Sequence, residues 1–172
     1  MHVVAEHFLD IVNQLEKLAE TGNSNTEQYQ LLSAARTPKF IACLVIIKKY
    51  SSKPEPVTQT LQTVELDLLF VQSTIQEILI GFHSDQEHSD ERYKEIFQDS
   101  ENIATDVGVD LKLPRQTGKQ LNVANPPSKT TEEYFRITVY IPYLDSLTTS
   151  LDTRFAEKNK PVFSLLMLHH FG

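Results

Sequence analysis

The run TTEEYFRITVYIPYLDSLTTSLDTRF, residues 130–155, decides the fold class. Thr130 followed three positions later by Glu133 is a capping box, in which each side chain bonds the other's backbone N–H at a helix start. From there Ile137, Ile141, Leu144, Leu147, Leu151 and Phe155 recur at steps of three and four, which gathers them on one face of an α-helix but scatters them over both faces of a strand. A long helix with one buried side is predicted. Pro142 lies inside it, and a kink is expected at that turn because the proline ring removes a backbone hydrogen bond.

The same period runs upstream. Val4, Phe8, Ile11, Val12, Leu15, Leu18 and Ala19 form one stripe of a helix from His2 to Glu20, which stops in the Gly- and Asn-containing turn Thr21 to Asn25. A short helix over Glu27 to Ala35 follows. Thr37 and Pro38 read as a cap and first helical residue of a third helix reaching Lys49. That helix is apolar almost all round from Phe40 to Ile47, so it should lie centrally. The break at Lys53-Pro54-Glu55-Pro56 leads to a fourth helix carrying Val64, Leu68, Val71, Ile75, Ile78, Leu79 and Phe82. Ser84 with Glu87 is read as the start of a fifth, whose inner side is Tyr93, Ile96, Phe97, Ile103, Ala104 and Val107. Its acids, Asp85, Glu87, Asp90, Glu91, Glu95, Asp99 and Glu101, are read as a solvated outer face.

Leu111 to Thr130 contains no acid, three prolines and the basic residues Lys112, Arg115, Lys119 and Lys129, and is read as an irregular loop. After the long helix, Asn159-Lys160-Pro161 breaks the chain before a short apolar segment, Val162 to Phe171. The predicted class is therefore all-α. It is an irregular multi-helix domain, with residues 1–110 as its first part, 111–130 as the basic loop before the penultimate helix, and 131–172 as the long helix and apolar end.

Composition narrows the functions. The 172 residues carry a formal net charge of −7, so phosphate contact has to be local rather than spread over the whole surface. The single cysteine, Cys43, excludes a disulfide framework or a cysteine-based zinc site within the chain. No apolar run approaches the length of a membrane span, and the first residues have no signal-peptide pattern, so a cytoplasmic or nuclear setting is expected. His83 and His88 are five apart across a helix break and do not share a face, and adjacent His169 and His170 point apart, so neither pair is read as a metal site. Glu132 and Glu133 complement a helix dipole better than they make an acid–base pair. The scattered glycines form no phosphate loop, and no serine sits in a nucleophile elbow. No cofactor and no small-molecule substrate is expected. The basic loop has two readings: a phosphate contact through Lys112, Arg115 and Lys119, or a solvated linker.

Seven short motifs in order carry a family resemblance: Val107-Gly108-Val109, Pro114-Arg115, Lys119-Gln120, Asn122-Val123, Glu132 to Arg136, Ile141-Pro142-Tyr143-Leu144-Asp145 and Arg154-Phe155. In these the chain resembles hAT-superfamily transposases, and more narrowly the transposon-derived MYM-type zinc finger proteins and THAP-type repressors of the protein kinase inhibitor. Lys39 to Leu79 fits the same pattern. The resemblance implies the helical insertion that splits a ribonuclease H-like core, with the catalytic acids and the DNA-binding zinc finger lying outside this chain. It implies no catalysis by the chain itself, because metal-dependent strand transfer needs several carboxylates converging on Mg²⁺. It also favours the nucleus. Two roles remain open. One is positioning transposon DNA or the catalytic core, with Lys112, Arg115 and Lys119 on phosphates. The other is a protein-interaction module that pairs with transposase-like proteins through Phe163, Leu165, Leu166, Leu168 and Phe171.

Overall fold

The computed structural model describes residues 7–20, 27–55, 59, 68–113, 128 and 130–155. Their regular structure is entirely helical: α1 Phe8–Glu20, α2 Glu27–Ala35, α3 Pro38–Ser51, α4 Leu68–Glu87, α5 Ser89–Asp106, α6 Thr131–Phe135, a π-helical turn Arg136–Tyr140, and α7 Ile141–Phe155. The all-α prediction holds. No helix among the described residues is long and apolar enough to cross a membrane, although α2 and α3, bent by 70°, have the combined length and composition.

Local chemistry explains most of the boundaries. Thr37 caps α3 by accepting the Phe40 N–H, with Pro38 at the first helical position, where its missing N–H is not needed. Thr130 accepts the Glu133 N–H at 3.1 Å and starts α6 in the same way. At the end of α5 the chain turns through Gly108, whose φ of +67° is open to glycine at little cost. The Val109 N–H then reaches Ala104 O at 2.7 Å and the Gly108 N–H reaches Thr105 O at 3.1 Å, so two otherwise orphaned carbonyls are paired. The Val-Gly-Val motif is thus a helix stop, with Val107 buried and Val109 packed behind it.

Proline at 142 acts on the turn before it. In an unbroken α-helix its ring would press on the carbonyl four residues earlier and supply no N–H. The backbone N–H of Ile141 bonds Arg136 O, five residues back, and the wider turn accommodates the proline while the helix continues from Thr131 to Phe155. The expected kink takes the form of this π turn.

α3 is central, as expected, and divides the interior in two. Its Ala42, Val45, Ile46 and Tyr50 enter one cluster with Phe82 of α4, Tyr93 and Ile96 of α5, Tyr134, Phe135 and Tyr140 of α6 and the π turn, and Leu144 of α7. Its Ile41 and Leu44 enter a second cluster with Phe8 and Val12 of α1, Leu32 and Ala35 of α2, and Ala104 and Val107. α5 lies along α3, α4 along α7, and α1 pairs with α2.

Three expectations are corrected. Ser84 and Glu87 do not start a helix. Phe82 and Asp85 continue the buried side of α4 past them, and Ser84 O accepts the His88 N–H at 3.0 Å, so packing outweighs the capping pattern and the break falls at His88. Asp85 is not on the solvated face; it is 7% exposed. In α1, Phe8 and Val12 are buried, but Ile11 and Leu18 stand 38% and 54% exposed, because α2 and α3 cover one edge of that wide stripe and leave the other. The expected helix start at His2 and the helical position of Val64 lie outside the described residues.

Glycine substitutions at two helix positions should have opposite signs. Gly108→Ala is expected to destabilise by about 1–2 kcal/mol, the cost of a side chain in left-handed backbone. Gly81→Ala, inside α4 with no atom within 4 Å of the added carbon, should stabilise by roughly 0.5–1 kcal/mol. Urea unfolding of the two variants measures both, and an equal effect at the two sites would contradict these backbone assignments.

Candidate functional site

The described part of the molecule has one buried charge centre, and four elements build it. Asp85 projects inward from α4 because it follows Phe82 by three residues on the buried side. Tyr50, in the last turn of α3, donates its hydroxyl to Asp85 Oδ2 at 2.9 Å, and Lys53, just beyond α3, donates its ammonium to the same oxygen at 2.8 Å. Arg92 of α5 places Nε 3.2 Å from Oδ1. Tyr140, turned inward at the end of the π turn, lies with its hydroxyl oxygen 2.7 Å from that of Tyr50. A phenol has one proton, and that of Tyr50 goes to Asp85, so Tyr140 is the donor in this bond. Lys53 is further held over the rings of Tyr50 and Phe82, 4.9 Å and 5.2 Å from their centroids.

The protonation states follow from these partners. Burial alone would raise the Asp85 carboxyl, but hydrogen bonds from Lys53 and Tyr50 and the charges of Lys53 and Arg92 outweigh it and hold it below the usual carboxylate range. Burial, and then the bonded neighbours Tyr140 and Asp85, push the Tyr50 phenol far up, and burial raises Tyr140 as well. At neutral pH the centre is therefore one carboxylate, two cations and two protonated phenols. Its evident work is to fix α3, α4, α5 and the π turn relative to one another. Tyr93 packs beside Tyr140 with ring centroids 5.1 Å apart, and its buried hydroxyl has no hydrogen-bond partner among the described residues.

Polar links around the centre join the same elements. Gln86 of α4 donates to Asp145 of α7 at 2.7 Å, Lys49 of α3 pairs with Glu95 of α5 at 3.0 Å, and Arg136 of the π turn pairs with Asp90 at the start of α5.

Of the residues singled out from sequence for phosphate contact, Lys112 is described. It is exposed and bonded to Asp110 at 2.6 Å, a pair that lowers the Asp110 carboxyl through that bond and the lysine charge. Arg115 and Lys119 lie outside the described residues, as do Phe163, Leu165, Leu166, Leu168 and Phe171. Sequence reading missed the Tyr50–Asp85–Tyr140 connection. The signal that could have found Asp85 is its three-residue spacing from Phe82, which puts an acid on the apolar side of α4.

The described motif residues behind the family resemblance have mostly structural places. Tyr134, Phe135 and Leu144 are buried, Arg136 and Asp145 bridge helices, and Pro142 follows the π turn. Exposed apolar side chains also stand on the first three helices: Leu9, Ile11 and Leu18 of α1, Tyr29 and Leu31 of α2, and Phe40 of α3.

The chain is similar to the 52 kDa repressor of the inhibitor of the protein kinase. Identity is 23% over 140 residues of the mouse (Mus musculus) protein and 23% over 141 residues of the human (Homo sapiens) one. In both cases the match takes in 81% of this chain and 18% of the relative's length. No family model matches the chain, and no solved structure matches it.

The sign of the Asp85 shift predicts the pH behaviour of a variant. A carboxyl lowered on folding contributes stability above its unfolded value of about 4 and loses that contribution as pH falls through its folded value. Asp85→Asn should therefore be less stable than the parent at pH 7, with the gap closing below about pH 4. Chemical unfolding of both proteins from pH 7 to pH 3 measures it; a pH-independent gap would mean that the carboxylate charge is not what the partners hold.

Proposed function

We propose that this chain is a non-catalytic helical part of a hAT-type, transposase-derived protein, and that its role is to hold DNA or the catalytic core of such a protein in position. The observation that carries this reading is the extent of the similarity: 81% of the chain matches 18% of a much longer relative. The motif residues support it, because those described mostly build the helical interior and its bridges and so have the character of a scaffold. The site of DNA contact in this reading is the basic loop. The chain leaves α5 at Asp106 and re-enters regular structure at Thr131, beside the opposite end of α5, where Arg136 meets Asp90. Arg115 and Lys119 belong to the connection between those ends, and Lys112, though bonded to Asp110, is solvent-exposed and can exchange that partner for a phosphate. A nuclear setting and a catalytic centre lying elsewhere in such a protein go with this proposal.

The test is fluorescence anisotropy of the purified chain with duplex DNA at 50 and 200 mM salt. Three phosphate contacts should cost about 40-fold in affinity between these concentrations. The triple variant Lys112→Glu, Arg115→Glu, Lys119→Glu should lose both the binding and its salt slope. Unchanged salt-sensitive binding in that variant would remove the loop from the assignment.

A second reading, association with transposase-like proteins, is favoured by the exposed apolar side chains of α1 and α2, where Leu18 is 54% and Leu31 is 58% exposed. The contact expected for this reading at Phe163, Leu165, Leu166, Leu168 and Phe171 lies outside the described residues, and Leu18 and Leu31 add candidate positions on α1 and α2. Leu18→Asp with Leu31→Asp should then abolish association in a sedimentation experiment while leaving the helical content unchanged. Persistent association of the double variant would exclude this surface.

A further inference from the structure

The Asp85 centre holds more positive charge than its carboxylate can neutralise. Two cations, Lys53 and Arg92, bind opposite oxygens of one carboxylate, so the heads of both are fixed within a few bond lengths of each other. The adjoining Lys49 and Glu95 pair neutralises itself at 3.0 Å, and the cluster as a whole sets three cations against two carboxylates. The two anchored cations are also open to solvent: the Lys53 side chain is 35% exposed and that of Arg92 is 50% exposed, whereas Asp85 beneath them is 10% exposed. Arg92 uses Nε on Asp85, so its two terminal nitrogens remain available as a pair of parallel donors. Lys53 is steadied from behind by the rings of Tyr50 and Phe82.

A guanidinium fork and an ammonium anchored on one carboxylate, with one net positive charge among the three groups, suit an oxyanion that meets both cations. We propose that Lys53 and Arg92 form a binding subsite for a phosphate group, with Asp85 as the positioning residue beneath it. A tetrahedral oxyanion can take one oxygen to the guanidinium fork and another to the ammonium without displacing Asp85. The ordering cost that normally weakens an exposed lysine contact is already met, because Asp85 and the two rings hold the side chain before the ligand arrives. The subsite lies at the junction of α3, α4 and α5, apart from the basic loop, and does not rest on the role proposed above for that loop. The phosphate can belong to a small molecule or terminate a nucleic-acid strand, and the chemistry at these two residues is the same.

The test uses the full 172-residue chain, isotopically labelled, with inorganic phosphate titrated at ionic strength held constant with chloride. The Arg92 Nε–H resonance and the backbone amides of residues 53 and 92 should shift saturably, and Lys53→Gln, followed at both, and Arg92→Gln, followed at the amides, should each weaken binding by about tenfold or more. Amide spectra away from the cluster report that each variant is folded. A 5′-phosphorylated oligonucleotide and its unphosphorylated twin are the second arm. Competition by the phosphorylated strand alone identifies a terminal phosphate as a ligand, and saturation by inorganic phosphate without such competition identifies a small phosphate; both support the subsite. A shift that does not saturate, or one that persists undiminished in a folded Lys53→Gln variant, overturns it.

Discussion

A carboxylate buried in a helical interior is tolerable only if its charge is answered by hydrogen bonds and opposite charge, and the answer to Asp85 determines how the helices sit. None of its partners comes from its own helix. Tyr50 and Lys53 arrive from the end of α3, Arg92 from the first turns of α5, and Tyr140, through Tyr50, from the π turn. Shifting any of these elements along its axis would strand a charge or a phenol in the interior. Such a centre contributes less to net stability than its distances suggest, because desolvation offsets much of the attraction. Its larger effect is geometric, since apolar contacts alone allow neighbouring helices to slide.

The backbone is shaped to reach that centre. Pro142 imposes the π turn, and the extra residue in that turn turns Tyr140 inward while Leu144, one turn further on, stays in the same cluster. At the other end of the core, Gly108 stops α5 so that Val107 and Val109 join the cluster that α1, α2 and α3 share. Neither device contributes much energy. Each decides a direction, and the packing of the aromatic cluster around Tyr50, Tyr93 and Tyr140 depends on the direction being right.

This layout bears on function through what it makes of the order of motifs. The described residues of that signature are, in space, caps, stops, buried aromatics and interhelical bridges. The surface is where functions would diverge. Its overall charge is negative, so any contact with phosphate falls to a few cations whose neighbours hold them in place.

The sequence by itself determined the helices, because a period of three to four residues and the capping chemistry of Thr37, Thr130 and Gly108 are local properties of the chain. It also determined the centrality of α3, since a helix apolar on all sides has no face to give to water. Tertiary structure alone decided the fate of Asp85, of Ser84 and Glu87, and of Ile11 and Leu18. An acid among acids reads as solvated until its helix is seen to turn it onto Tyr50, and a capping pattern yields when Phe82 and Asp85 carry the buried side past it. The exposure of Ile11 and Leu18 was likewise invisible, because a wide apolar stripe does not say how much of its width a neighbour will cover. What separates the two kinds of knowledge is range: caps and periodicity act within a turn or two, whereas the charge on Asp85 is answered by Arg92 across a helix break and by Lys53 and Tyr50, 32 and 35 positions away.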